Sequence, residues 1–111
     1  MTDVLVMPRH LAIRILHEAQ IAQPESIRGV VAARAGEPAA FLKNRDAVAD
    51  GDALWANLWS HPQAEAIPLT SELRDGLLSL VVSLNTKGVL EMRAWRLIAG
   101  TAQEQVLKIR D

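Results

Sequence analysis

The amino-acid sequence predicts an α/β fold, a single mixed β-sheet with an N-terminal helix packed on it. Three observations lead there. One run near the N-terminus repeats its apolar residues at helical spacing. The run "LLSLVVSL" is apolar without alternation, the pattern of a strand buried on both faces. The stretches around it are short and apolar or alternate with period two, and turn residues separate them.

In "PRHLAIRILHEAQIAQP", Leu11, Ile15, Ala19 and Ala22 fall on one helical stripe beside Ala12 and Leu16. Pro8 suits the first turn, where its missing N–H costs nothing, and Pro24 stops the helix, so helix is expected from Pro8 to Ala22. "SIRGVVAARAGEPAAFLKN" then reads as a hairpin of two strands, Ile27 to Arg34 and Pro38 to Lys43, turning at Ala35-Gly36-Glu37. "NRDAVADGD" is a polar loop, and "ALWANLW" is a third strand. "TSELRDG" has the makings of a single helical turn capped by Thr70 or Ser71 and ended by Gly76. "LLSLVVSL" is the central strand, "NTKG" a hairpin loop, and "VLEMRAWRLI" an alternating strand with Leu90, Met92 and Ala94 opposite Glu91, Arg93 and Trp95. After the turn "AGT", "QEQVLKIR" is expected as an edge strand with Leu107 and Ile109 inward, completing a meander.

The chain's 111 residues fit one domain, 1–111, and half of them are hydrophobic, enough for a real core. The formal net charge of −1 and the scattered basic residues exclude a nucleic-acid stripe. No apolar run reaches a membrane span, and "MTDVLVMPRH" lacks the basic start and long apolar core of a signal peptide, so a cytoplasmic location is expected. There is no cysteine, hence no disulfide framework and no thiolate metal site. A metal would have to be held by carboxylates and by the three histidines His10, His17 and His61.

Three stretches carry a resemblance. They are "QPESIRGVV", "WSHPQAEAIPLTSE" and "LSLVVSLNTKGVLEMRAWRLI", in that order. Together they resemble the small prokaryotic members of the JAB/MPN domain family, whose active members are JAMM zinc metallopeptidases. The resemblance covers most of the chain. It implies a cytidine deaminase-like architecture, here missing the helix before the third strand, because the stretch between Lys43 and Leu54 is too short to hold it.

The motif maps onto this sequence unevenly. Its second zinc histidine falls on His61, with Ser60 and Pro62 kept, while its first falls on Trp59. The serine after the loop proline falls on Leu69, the zinc aspartate on Glu72, and the catalytic glutamate on Ser26, three residues before the strand glycine Gly29. Glu25 is the adjacent carboxylate and Asp75 a substitute ligand; His17 on the helix is a more distant one.

The chemistry states what such a site needs. A catalytic zinc takes three protein ligands and a water, and lowers that water's pKa so that a glutamate can remove its proton. A His-x-His pair works because alternate residues of an extended segment point the same way. An indole cannot replace the first imidazole, since its nitrogen only donates.

Two functional expectations follow from the resemblance. One is a pseudoenzyme, a non-catalytic binding or scaffolding module without a cofactor, using a cleft at Trp59, Ser60, Pro62 and Leu69. The other is a Zn2+-dependent peptidase with a rearranged site, His61 and Glu72 or Asp75 as ligands and Glu25 as base. That peptidase would act on the C-terminus of ubiquitin-like or sulfur-carrier proteins. A third reading is an oligomer, two copies pairing through the last strand's free edge. Trp55 and Trp95 read as core or sheet-face residues, and His10 and His17 as surface residues.

Overall fold

The computed structural model describes residues 4–62, 64–74, 76–86 and 89–110. In chain order the elements are β1 (Val4–Pro8), α1 (Arg9–Ala22), β2 (Arg28–Arg34), β3 (Glu37–Leu42), β4 (Ala53–His61), β5 (Leu78–Thr86), β6 (Val89–Ile98) and β7 (Thr101–Arg110). Two 3-10 turns, Arg45–Ala47 and Thr70–Glu72, interrupt the loops on either side of β4. The strands form one sheet in the order β1-β7-β6-β5-β4-β2-β3. The pairs β1–β7 and β4–β5 are parallel and the other four are antiparallel.

β5 lies at the middle of this order, as its unbroken apolar run predicts. Leu78, Leu80 and Val82 face α1, while Ser79, Val81 and Ser83 lie buried on the other face. Packed against the first face are Leu11, Ala12, Ile15 and Ala19, the helical stripe read from the sequence. The second face carries a smaller core of Trp59, Ala66, Leu73, Val81 and Trp95, covered by the segment between β4 and β5. α1 touches strands from both ends of the sheet, and Arg110 Nη2 on β7, next to one end, lies 3.5 Å from Glu37 Oε1 on β3 at the other. The sheet therefore curls round the helix.

Two tight turns use the same dipeptide. Ala35-Gly36 joins Arg34 to Glu37, and Ala99-Gly100 joins Ile98 to Thr101. All four residues have positive φ, between 52° and 80°. Two consecutive positive φ values give the turn whose twist matches that of the flanking strands. On β2, Gly29 is required for space: a Cβ there would overlap the Leu42 carbonyl oxygen and approach the Phe41 ring to 2.8 Å.

Several expectations need correction. The helix begins at Arg9, because Pro8 closes a strand, β1, that the sequence reading missed. β1 pairs with β7 from the far end of the chain, Val4 against Val106, and so β7 is not an edge strand. Leu107 packs on the helix-side core as expected, but Ile109 is 45% exposed, since Met7 of β1 is the fully buried residue at that rung. The turn Thr70–Glu72 is capped from position Leu69, not by a hydroxyl of Thr70 or Ser71. The turn of "NTKG" falls on Lys87 and Gly88, outside the described residues. Between Lys43 and Ala53 there is a 3-10 turn and no α-helix, as the short spacing implies.

Candidate functional site

The site forms where β4 ends. Trp59, Ser60 and His61 are its last three residues, held between β2 and β5. Alternation sends Trp59 and His61 to the face away from α1 and turns Ser60 to the other side. Ser60 is buried and fixes the start of β2: its Oγ accepts the Ile27 N–H at 2.8 Å, and its own N–H donates to the Ile27 carbonyl at 3.0 Å.

His61 is engaged at both ring nitrogens. Nδ1 lies 2.9 Å from the Glu65 carbonyl oxygen. A carbonyl can only accept, so Nδ1 carries the proton and Nε2 bears the lone pair. That lone pair accepts the indole N–H of Trp59 at 3.2 Å. Trp59 itself is buried in the second core. It stands where the resemblance would place the first ligand, and its donor points at Nε2 of His61.

Glu72 approaches the same place from the 3-10 turn. Its Oε1 is 4.0 Å from His61 Nε2 and accepts the Leu69 N–H at 2.7 Å. The structure thus brings His61, Glu72 and Trp59 together. Pro62 is half-buried beside them, and Leu69 is 68% exposed. Glu25 and Ser26 are exposed at the exit of α1, where the Glu25 N–H bonds to the Ala22 carbonyl. His17 and His10 are exposed on α1. Asp75 lies outside the described residues.

A catalytic zinc needs three protein ligands, and this cluster offers two donors with one lone pair already taken. Among the described residues no group of three or more His, Asp or Glu side chains could hold a metal ion. The described residues do not fit the zinc of a JAMM centre.

The bonds that hold the covering loop escaped the sequence reading. Three side chains on adjacent strands grip three consecutive backbone carbonyls. Ser83 Oγ donates to Ala64 at 2.6 Å, His61 Nδ1 to Glu65, and Trp95 Nε1 to Ala66 at 3.0 Å. His61 is thus a loop clamp. No local signal announces this, because each acceptor is backbone.

Two grooves meet at Glu72. One, of about 470 Å³, runs past His61, Ala64, Glu65, Ile67 and Leu69. The other, of about 440 Å³, lies over Asn57 and Trp59 and is walled by Arg28, Ser71 and Arg74.

Comparison with solved structures agrees with this architecture. Protein DSY2949 from Desulfitobacterium hafniense superposes with a TM-score of 0.77 at 15% identity, covering 98% of this chain and 94% of that one. AF2198, a JAB1/MPN domain protein from Archaeoglobus fulgidus, gives 0.69 at 14% identity, covering 96% and 99%. A structure described as JAMM, a metalloprotease-like zinc site in the proteasome and signalosome, gives 0.70 at 14% identity, covering 98% and 100%. The chain has the fold of JAB1/MPN domain proteins over nearly its whole length. No protein-family model matches the sequence, and no curated protein matches it. Among the described residues no helix is long and apolar enough to cross a membrane.

Proposed function

We propose that this chain is a non-catalytic JAB/MPN-like module that binds a protein partner on the face where JAMM domains hold their zinc. The observation that carries this reading is the bond from the Trp59 indole N–H to His61 Nε2. A nitrogen lone pair that accepts a hydrogen bond is not free for a metal. A buried tryptophan in the first-ligand position leaves no room for the imidazole that would make a third ligand.

Surface chemistry beside the pair supports binding. Ile67 and Leu69 expose apolar side chains, 45% and 68%, along the groove that His61 and Glu72 also line. Apolar side chains gathered at a groove are the usual mark of a protein contact. Ubiquitin-like and sulfur-carrier proteins, the substrates the resemblance implies for an active domain, are the first partners to test.

The test is hydrolysis with and without zinc. The protein is incubated with a ubiquitin-like or sulfur-carrier protein extended beyond its Gly-Gly, with zinc or with chelator. The expected result is no cleavage above the chelator control. Zinc-dependent cleavage that disappears in His61→Ala overturns the reading.

A further inference from the structure

We infer that the groove over Asn57 and Trp59 recognises carboxylates, and that its occupant is an acidic extended segment of the partner protein. The inference rests on the binding reading above and gives that partner a chemistry.

Two arginines reach this groove from separate parts of the chain. Arg28 stands on the first rung of β2, directly across from Trp59. Arg74 follows the 3-10 turn on the opposite wall. Both are exposed, and neither makes an ion pair among the described residues. Three other arginines of the sheet have carboxylate partners, Arg34 with Asp52, Arg93 with Glu104 and Arg110 with Glu37, while Arg96 on β6 has none among the described residues. Arg28 and Arg74 thus place two guanidiniums, unpaired among the described residues, on the walls of one groove.

Among the described residues the lining contains one carboxylate, Glu72, and its Oε1 is engaged. Its Oε1 accepts the Leu69 N–H and sits 4.0 Å from His61 Nε2, on the side of the other groove. Two guanidiniums set against one engaged carboxylate leave the described lining net positive. Ser71 and Asn57 add neutral polar groups beside the guanidiniums. A guanidinium binds a carboxylate through two parallel N–H bonds, which fixes orientation as well as charge. A space of about 440 Å³ is far larger than a small anion needs and suits a few residues of extended chain. The adjoining groove with Ile67 and Leu69 would take an apolar side chain of the same segment. A nucleic acid would need more than two cations, and the chain's formal net charge is −1.

The test is a titration of the full-length 15N-labelled chain with three short peptides of equal length, Glu-rich, Gln-rich and Lys-rich. Inorganic phosphate forms a fourth arm. The signals followed are the Trp59 indole N–H and the Arg28 and Arg74 Nε–H groups. The Glu-rich peptide is expected to shift them saturably, with affinity falling roughly tenfold as salt screens the charges. The double variant Arg28→Glu/Arg74→Glu is expected to lose the Glu-rich peptide and gain the Lys-rich one. That reversal separates lost recognition from lost folding. Failure of the Glu-rich peptide to move these signals overturns the inference. So does an equal response to the Gln-rich peptide, which leaves the groove a binding site without acid preference. Phosphate reproducing the full response overturns the assignment to a peptide. Zinc-dependent cleavage in the hydrolysis assay removes the non-catalytic reading and leaves the titration result unaffected.

Discussion

At the scale of single residues, three buried serines show how context sets the worth of one hydroxyl. Ser60 satisfies a backbone N–H that is buried with it, and Ser83 holds the Ala64 carbonyl. Ser79, also on β5, has no hydrogen-bond partner among the described residues. Removing a partner from a buried donor costs about 1–3 kcal/mol, whereas removing an unsatisfied hydroxyl is close to neutral. In urea unfolding, Ser60→Ala is expected to lose about 1–2 kcal/mol and Ser79→Ala less than about 0.5 kcal/mol. Equal losses would contradict this assignment. Positions Trp59, Ser60, His61 and Glu72 were all legible as text, because a motif is a pattern of residue types. The work His61 does was not, since its partners are a neighbouring indole and a backbone carbonyl that sequence does not distinguish.

At the scale of elements, the two Ala-Gly turns place an alanine in a region that favours glycine and asparagine. Ala35→Asn and Ala99→Asn are each expected to stabilise the fold by about 0.5–1 kcal/mol in thermal or urea unfolding. A loss of stability in both would contradict the turn geometry. Between β6 and β7, Arg93 Nε donates to Glu104 Oε2 at 2.7 Å while its guanidinium lies 5.0 Å from the Trp95 ring centroid. That hydrogen bond first, and the charge of Arg93 with it, hold the Glu104 carboxyl below its ordinary pKa. A depressed carboxylate stabilises the fold above its unfolded pKa of about 4.3, and the contribution vanishes as pH falls through the lower folded value. Both side chains are partly exposed, so the effect is small. The stability gap between the native chain and Glu104→Gln is expected to be widest at neutral pH and to close in acid. A gap that stays constant into acid would rule out the ion pair as its source. The helix, the central strand and the final meander were legible because each carries its own period. β1 was not: five residues hold too little pattern, and their partner lies at the other end of the chain.

At the scale of the whole molecule, identities of 14% accompany near-complete coverage of the JAB1/MPN and JAMM structures. The frame follows from apolar patterning and turn placement, which many sequences satisfy, whereas zinc chemistry needs particular atoms. This chain keeps the first and, on the reading proposed above, changes the second. β1 also bears on assembly. It covers the outer side of β7, so pairing of two copies through that strand's free edge loses its main support. The edges that remain, β1 and β3, approach each other as the sheet curls. Zinc titration followed at the His61 and Trp59 ring nitrogens tests the central claim most directly. The native chain, His61→Ala and Trp59→His would be exposed to excess zinc at neutral pH and freed of unbound metal. The account predicts that the native chain retains no stoichiometric zinc and that its Trp59 indole and His61 Nδ1–H signals stay in place. It predicts that Trp59→His, which restores an imidazole two residues before His61 on the same face, gains zinc. Stoichiometric zinc on the native chain, lost in His61→Ala and accompanied by release of the Trp59 indole, would contradict it.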